Sequence, residues 1–227
     1  MSHSNKSVIN LSDLVHVAEG RQQIVFEHPT DPTSVIKLPK PEKNDGRGNL
    51  LKKRRGDRFR RATAYRSFLR EFQEFVELKA RRPEVGAILP LCEIRGIVQT
   101  DLGMGLVYER ITNPDGTLAP QLGQLIDQGL IGDQQLTEIK AHFSELMDNH
   151  VVLCHFNLEN ILYQTLEDGS GRFVWVDSIG SRQLIPTRRW FRELNDRKLR
   201  KIRDKCIEAM QLGLSNDTGA NAGKQTQ

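Results

Sequence analysis

Between Tyr65 and Leu78 the apolar residues Tyr65, Phe68, Leu69, Phe72, Phe75 and Leu78 recur at three- and four-residue steps, which lays them along one face of a helix. Arg81-Arg82-Pro83 ends it. Further on, Leu136, Ile139, Phe143, Leu146 and Met147 predict a second long helix, capped by Asp133, with a shorter helix over Leu122 to Leu130 before it. A last helix has Pro186 in its first turn and a stripe of Trp190, Leu194, Leu199, Ile202, Cys206 and Met210, ending near Leu212. From Leu11 to Lys37 the pattern alternates instead, as two or three strands broken at Glu19-Gly20 and at His28-Pro29-Thr30-Asp31-Pro32. Ile88 to Val98 and Gly105 to Ile111 bracket the turn Thr100-Asp101-Leu102-Gly103 as a hairpin. Another hairpin joins Ile161–Tyr163 to Phe173–Val176 through Glu167-Asp168-Gly169-Ser170-Gly171, because Asp-Gly with a further glycine close by is a turn signal.

The turn-rich break Asn113-Pro114-Asp115-Gly116 divides the chain. The expected organisation is a disordered leader over 1–10, a sheet with one helix over 11–112, a mostly helical part over 113–212 and a small, polar, disordered tail over 213–227. Residues 39–61 are rich in Pro, Gly, Lys and Arg and predict a long basic loop.

Composition narrows the class. A chain of 227 residues can bury one substantial core or two small lobes. With 37% hydrophobic and 27% charged residues it suits a globular protein better than a disordered one. No apolar run approaches the roughly 20 residues that span a bilayer. The start, Met1-Ser2-His3-Ser4-Asn5-Lys6, lacks the apolar centre of a signal peptide. Cys92, Cys154 and Cys206 are odd in number and far apart, which argues against a disulfide framework and for the cytoplasm. The net charge of +4 implies no partner, but its distribution is uneven. Lys52, Lys53, Arg54, Arg55, Arg58, Arg60 and Arg61 form one cluster and the series from Arg188 to Lys205 another. Either could meet phosphate, anionic lipid or nucleic acid; solvated surface is the favoured reading, and no aromatic interleaving supports nucleic acid.

The chemistry gathers between His150 and Gly180. Asn160 directly precedes the first strand of the 161–176 hairpin and Asp177 directly follows the second, so pairing brings an amide oxygen and a carboxylate together. Two such oxygens make an Mg²⁺ site, since that ion takes few protein oxygens and shares a nucleotide phosphate. Cys154 beside His155 reads either as a metal ligand or nucleophile or, preferably, as a small buried hydrophobe. In Ser34-Val35-Ile36-Lys37-Leu38 a cation stands within an apolar strand, where it needs a partner unless it snorkels to the surface. Glu71, beside Phe68 and Phe75 on the helix, is the first choice; Glu74 and Glu77 are alternatives, and surface pairing at i, i+4 accounts for all three otherwise.

These motifs resemble the protein-kinase-like fold. Asn160-Ile161-Leu162 matches the end of a kinase catalytic loop, and Asp177-Ser178-Ile179-Gly180 stands where kinases have Asp-Phe-Gly. Five residues before Asn160, where kinases carry the catalytic Asp, the chain has His155. The resemblance makes Lys37 a ligand of the α- and β-phosphates, paired to Glu71. It makes the stretch Ala18 to Phe26 the phosphate-covering loop, with Gly20 where kinases have three glycines and Arg21 as a substitute phosphate ligand. The strand Leu106 to Ile111 becomes the hinge, whose backbone groups at Glu109 and Ile111 would recognise adenine. The Ala-Pro-Glu segment and later helices of a full kinase do not follow Gly180.

The order of glycine turn, Ile-Lys strand, Arg-Glu helix, Val-Tyr hinge strand, Asn-Ile-Leu loop, Asp-x-Ile-Gly end and Trp-containing helix is similar to the small bacterial YrbL family, named for the PhoP regulatory network, from about Leu11 to Met210. The resemblance implies a gram-negative source and an α+β, truncated protein-kinase-like bilobal fold, with an N-terminal antiparallel sheet plus one helix and a reduced, mostly helical C-lobe. It also implies ATP and Mg²⁺ as cofactors. Gly20, Lys37, Glu71, Glu109 and Ile111 would hold the nucleotide, and Asn160 and Asp177 the metal. Phosphate transfer to an acceptor would rest on His155, Asn160, Asp177 and Lys37. The alternative is an inactive pseudokinase that works as a regulatory module binding a protein partner.

Overall fold

The computed structural model describes residues 8–20, 23–40, 65–84, 88–181 and 185–222, those of 215–222 by backbone alone. The chain divides into two compact units, one formed by residues up to Phe72 together with Glu93–Arg110, the other by Gln73–Cys92 together with the chain from Ile111 onward.

The first unit is an antiparallel sheet. The alternating stretch resolves into three strands, β1 (His16–Glu19), β2 (Gln23–Glu27) and β3 (Ser34–Pro39), and the hairpin into β4 (Ile94–Thr100) and β5 (Gly103–Glu109). Their order is β1-β2-β3-β5-β4, so β3 lies at the centre. Phe26, Ile36, Leu38 and Val107 build its core with Leu11. Each fully buried side chain of this size contributes about 1.5–3 kcal/mol. The turn into β3 is tied by Asp31, whose carboxylate accepts from the Ser34 hydroxyl and from Thr33; these bonds, Ser34 first, hold its pKa at about 2.

Two expectations change in this unit. Part of the expected leader is docked: Ile9 pairs in parallel with Thr100, and next to it the Asp101 carboxylate accepts from the Leu11 N–H at 2.7 Å. The apolar side chain of Ile9 packs on the core, which is enough to dock it; residues 1–7 lie outside the described residues, as do Arg21 and 41–61 of the basic loop. The β4 strand starts only at Ile94, and Ile88 is exposed.

Helix α1 (Arg66–Arg81) starts in the first unit and ends in the second. Its buried positions are Phe68, Glu71, Glu74, Phe75 and Leu78; Leu69, one residue and about 100° round from Phe68, is exposed instead of joining the stripe. From Gln73 on, the helix and its continuation bond within the second unit: Arg81 donates to the Asn149 carbonyl at 2.6 Å, Arg82 pairs with Glu145, and the Cys92 N–H donates to the Trp175 carbonyl at 2.9 Å. That is why the boundary differs from the expected division at 112/113.

The second unit holds α2 (Leu122–Asp127), α3 (Asp133–Asp148), the hairpin β6 (Ile161–Thr165) and β7 (Gly171–Trp175), α4 (Thr187–Trp190) and α5 (Arg192–Ala222). Ile139, Phe143 and Leu146 of α3 are fully buried, and Phe143 meets the buried ring of Trp175 edge-on at 6.2 Å. Leu136 and Met147 are half-buried. The cap is Gly132 rather than Asp133: its N–H donates to Gln135 Oε1 at 2.9 Å, and Asp133 is the first helical residue, placed to favour the helix dipole.

The last helix departs most from expectation. It is interrupted at Phe191, whose backbone is extended, and Trp190 and Leu194 are exposed. Asn195 takes the buried position because its amide donates to the Val151 carbonyl at 2.8 Å, and Leu199, Ile202, Cys206 and Met210 continue from it. Burial pushes the Cys206 thiol up to about 12. Beyond Leu212 the helix persists to Ala222 where a disordered tail was expected. α5 passes close to α2 at Gly213, where a Cβ would lie 2.9 Å from Ile126 Cγ2 and would require that side chain to shift. Residues 223–227 lie outside the described residues. The fold is therefore α+β, an N-terminal antiparallel sheet with a helix followed by a mostly helical part, and no helix among the described residues is long and apolar enough to cross a membrane.

Candidate functional site

The site is built on the β6–β7 hairpin. Its turn closes as the sequence requires, with Gly169 at φ 80° and the Asp168 carboxylate accepting from the N–H and hydroxyl of Ser170. Pairing runs from Thr165↔Gly171 to Ile161↔Trp175. At Gly171 the Tyr163 ring lies across the backbone, so close that a Cβ would sit 2.0 Å from its hydroxyl oxygen. Tyr163 in turn donates to Glu138 Oε2 at 2.7 Å, and burial with that bond pushes its pKa up to about 12. The hairpin is thereby anchored to α3.

At the other end of the hairpin the Val176 N–H donates to the Asn160 carbonyl at 2.9 Å, bringing Asn160 and Asp177 to one mouth. Asn160 closes a 3₁₀ turn, Leu158–Asn160, started by Asn157, whose side chain accepts from the Glu159 N–H. Asp177 opens a loop docked on the segment before it: Cys154 N–H donates to the Ser178 carbonyl and Gly180 N–H to the Val152 carbonyl, each at 2.7 Å, with Leu153 bridged to Ile179. Gly180 has φ 86°, and Ser178, a non-glycine residue, has φ 61°.

Sequence reasoning passed over Ser178. Its hydroxyl oxygen accepts from Asn160 Nδ2 at 3.1 Å, and its N–H donates to Asp177 Oδ1. Among the described residues, Asn160 Oδ1 and Asp177 Oδ2 receive no hydrogen bond, and both side chains are half-buried. One carboxylate and one amide oxygen, both uncommitted, are hard donors that fit Mg²⁺ with water and phosphate completing its shell. His155 is exposed in the segment between Leu153 and the 3₁₀ turn, and Cys154 is a free, half-buried thiol.

The same segment is held from behind. Val152 N–H donates to Glu74 Oε1 at 2.7 Å, and Arg189 reaches Glu74 Oε2 at 2.8 Å and Glu77 at 3.0 Å. Burial raises the Glu74 pKa, outweighing the lowering by Val152 N–H and Arg189. Arg188 donates to the Leu153 carbonyl at 2.7 Å.

In the first unit Lys37 is 7% exposed, its ammonium 4.1 Å from the centre of the Tyr108 ring. The Tyr108 hydroxyl donates to Glu71 Oε2 at 2.6 Å, and Gln23 donates to Glu71 Oε1 at 3.4 Å. Lys37 and Glu71 thus converge on Tyr108, a residue that spacing did not single out. Glu74 and Glu77 belong to the network around Val152 and Arg189 instead. Gly20 is exposed, its N–H donating to the Gln23 carbonyl at 2.9 Å, and a Cβ there would meet nothing closer than 3.8 Å. The Glu109 N–H is taken by the Glu93 carbonyl, and the Ile111 carbonyl by the Ala119 N–H. Two of the backbone groups considered for adenine are therefore engaged within the chain.

Comparison with protein families matches residues 9–211 to the one described as PhoP regulatory network protein YrbL. The chain belongs to this family. It is 26% identical over 218 residues to the YrbL proteins of Escherichia coli (strain K12) and Shigella flexneri, covering 92% of this chain and 92% of each relative. A solved structure, the co-crystal structure of WbdD and kinase inhibitor LY294002, is similar with a TM-score of 0.41 at 13% identity, over 71% of this chain and 32% of that one. The YrbL match spans the sheet, the hairpin and most of α5, so every candidate site residue lies inside it.

Proposed function

We propose that this YrbL-family protein binds ATP with Mg²⁺ and transfers its terminal phosphoryl group to an acceptor hydroxyl. The reading is carried by one observation, the oxygens of Asn160 and Asp177 at the hairpin mouth that receive no hydrogen bond among the described residues. Bound there, Mg²⁺ supplies charge neutralisation for the phosphate oxygens. Lys37, a cation desolvated in its strand beside the Tyr108 ring, has the chemistry of a phosphate ligand, and the Tyr108 hydroxyl ties Glu71 of the helix to that sheet. The bond from the phosphoryl phosphorus to ADP breaks as the bond to the acceptor oxygen forms, and His155 accepts the acceptor's proton, a task within reach of imidazole near neutral pH. A cytoplasmic setting accords with three free cysteines.

Thermal unfolding with and without millimolar ATP and Mg²⁺ tests the first half. Stabilisation is expected, about 2.7 kcal/mol when ligand stands at 100 times its Kd, and Asp177→Ala should abolish the Mg²⁺-dependent part. No stabilisation of the wild type refutes nucleotide binding. ATP turnover then tests the second half: loss with His155→Ala supports transfer, whereas binding without turnover in the wild type leaves the pseudokinase, a regulatory module, as the function.

A further inference from the structure

We infer that Ser178 is a positioning residue that aims both candidate metal ligands, doing with a hydroxyl what the residue following the kinase Asp does not do in an Asp-Phe-Gly motif; the inference rests on the Mg²⁺ reading above. A free asparagine amide can turn either its oxygen or its nitrogen toward a cation, and only the oxygen binds. In the structure the Ser178 hydroxyl accepts from Asn160 Nδ2 at 3.1 Å, and with the nitrogen engaged there the amide oxygen is the group left for a ligand. The Ser178 N–H donates to Asp177 Oδ1, which fixes the carboxylate and leaves Oδ2. Both bonds need the serine backbone where it is, at φ 61°, a left-handed conformation unfavourable for a side-chain-bearing residue. The Cys154 N–H holds it there through the Ser178 carbonyl at 2.7 Å. Glycine would adopt this turn with less strain, so the serine is costly to the backbone and returns a hydroxyl. A side chain that orients ligands in this way typically changes metal affinity by about 10–100-fold when removed.

The test uses the full chain and Mn²⁺, a paramagnetic ion that shares the hard-oxygen preference of Mg²⁺, titrated by electron paramagnetic resonance alone and with a non-hydrolysable ATP analogue. Ser178→Ala removes the hydroxyl and keeps the strain; Ser178→Gly removes both. Both variants are expected to bind Mn²⁺ at least tenfold more weakly than wild type, while the metal-free Tm of Ser178→Gly equals or exceeds that of wild type. Weakened binding without lost stability is the result a merely structural serine would not produce. If Ser178→Gly binds Mn²⁺ as tightly as wild type, the hydroxyl positions nothing and the inference is overturned. If the wild type itself binds no Mn²⁺ in either titration, it is the metal reading that fails, and the role of Ser178 falls with it.

Discussion

His142 lies on the buried face of α3, 5% exposed, between the rings of Phe143 and Phe173, and its Nε2 is buried with no hydrogen-bond partner among the described residues. Burial lowers its pKa from 6.5 to about 3. Between those values the unfolded chain binds a proton that the folded chain refuses, so stability rises with pH across the window and is lost as pH falls through it. From pH 7 to pH 5 the unfolded imidazole goes from mostly neutral to almost fully charged while the folded one stays neutral, which amounts to about 2 kcal/mol. His142→Leu deletes this linkage and the unpaired nitrogen in a side chain of similar volume. Urea unfolding of both proteins at the two pH values measures the effect. The leucine variant should match wild type at pH 7 within about 1 kcal/mol and lose about 2 kcal/mol less on acidification. Equal losses in the two proteins would show that His142 protonates in the native state, and would refute the argument that its site is dry.

Two further substitutions test how the candidate site is held. Glu74→Ala strips the Val152 N–H and Arg189 of a buried acceptor and should cost about 3 kcal/mol in urea unfolding, whereas Glu74→Gln, whose amide oxygen can still accept from Val152, should cost less; equal costs would mean that the Val152 bond contributes nothing. Gly171→Ala forces the Tyr163 ring off the backbone and away from Glu138, for an expected loss of about 1–3 kcal/mol read as a lowered Tm, and an unchanged Tm would show that the ring can move freely.

Much of the architecture was legible along the chain because it is local. The Asp168-Gly169 turn specifies the β6–β7 pairing, and that pairing alone carries Asn160 and Asp177 to the same end of the hairpin. The three-four periodicity located α1 and α3, and the alternation located the strand bearing Lys37. What failed lay at edges, where a pattern says that a face is apolar but not how far the face turns. Leu69, Trp190 and Leu194 all fit the spacing and are exposed, and the break at Phe191 together with the Asn195 bond to Val151 moved the first buried position of α5 from Leu194 to Asn195.

By itself the sequence determined most of the elements, their order, and the placing of Asn160 and Asp177 at one end of the hairpin, since each follows from turn chemistry and from neighbours a few residues apart. Tertiary structure alone decided which partner each polar group meets. Glu71 and Glu74 are three residues apart on one helix, yet the first accepts from Tyr108 and Gln23 while the second accepts from Val152 and Arg189. The Asn160 amide meets the Ser178 hydroxyl, 18 residues away, to which its nitrogen donates. Such choices depend on angles and distances of a few tenths of an ångström between segments remote in the chain, and no one-dimensional spacing encodes them.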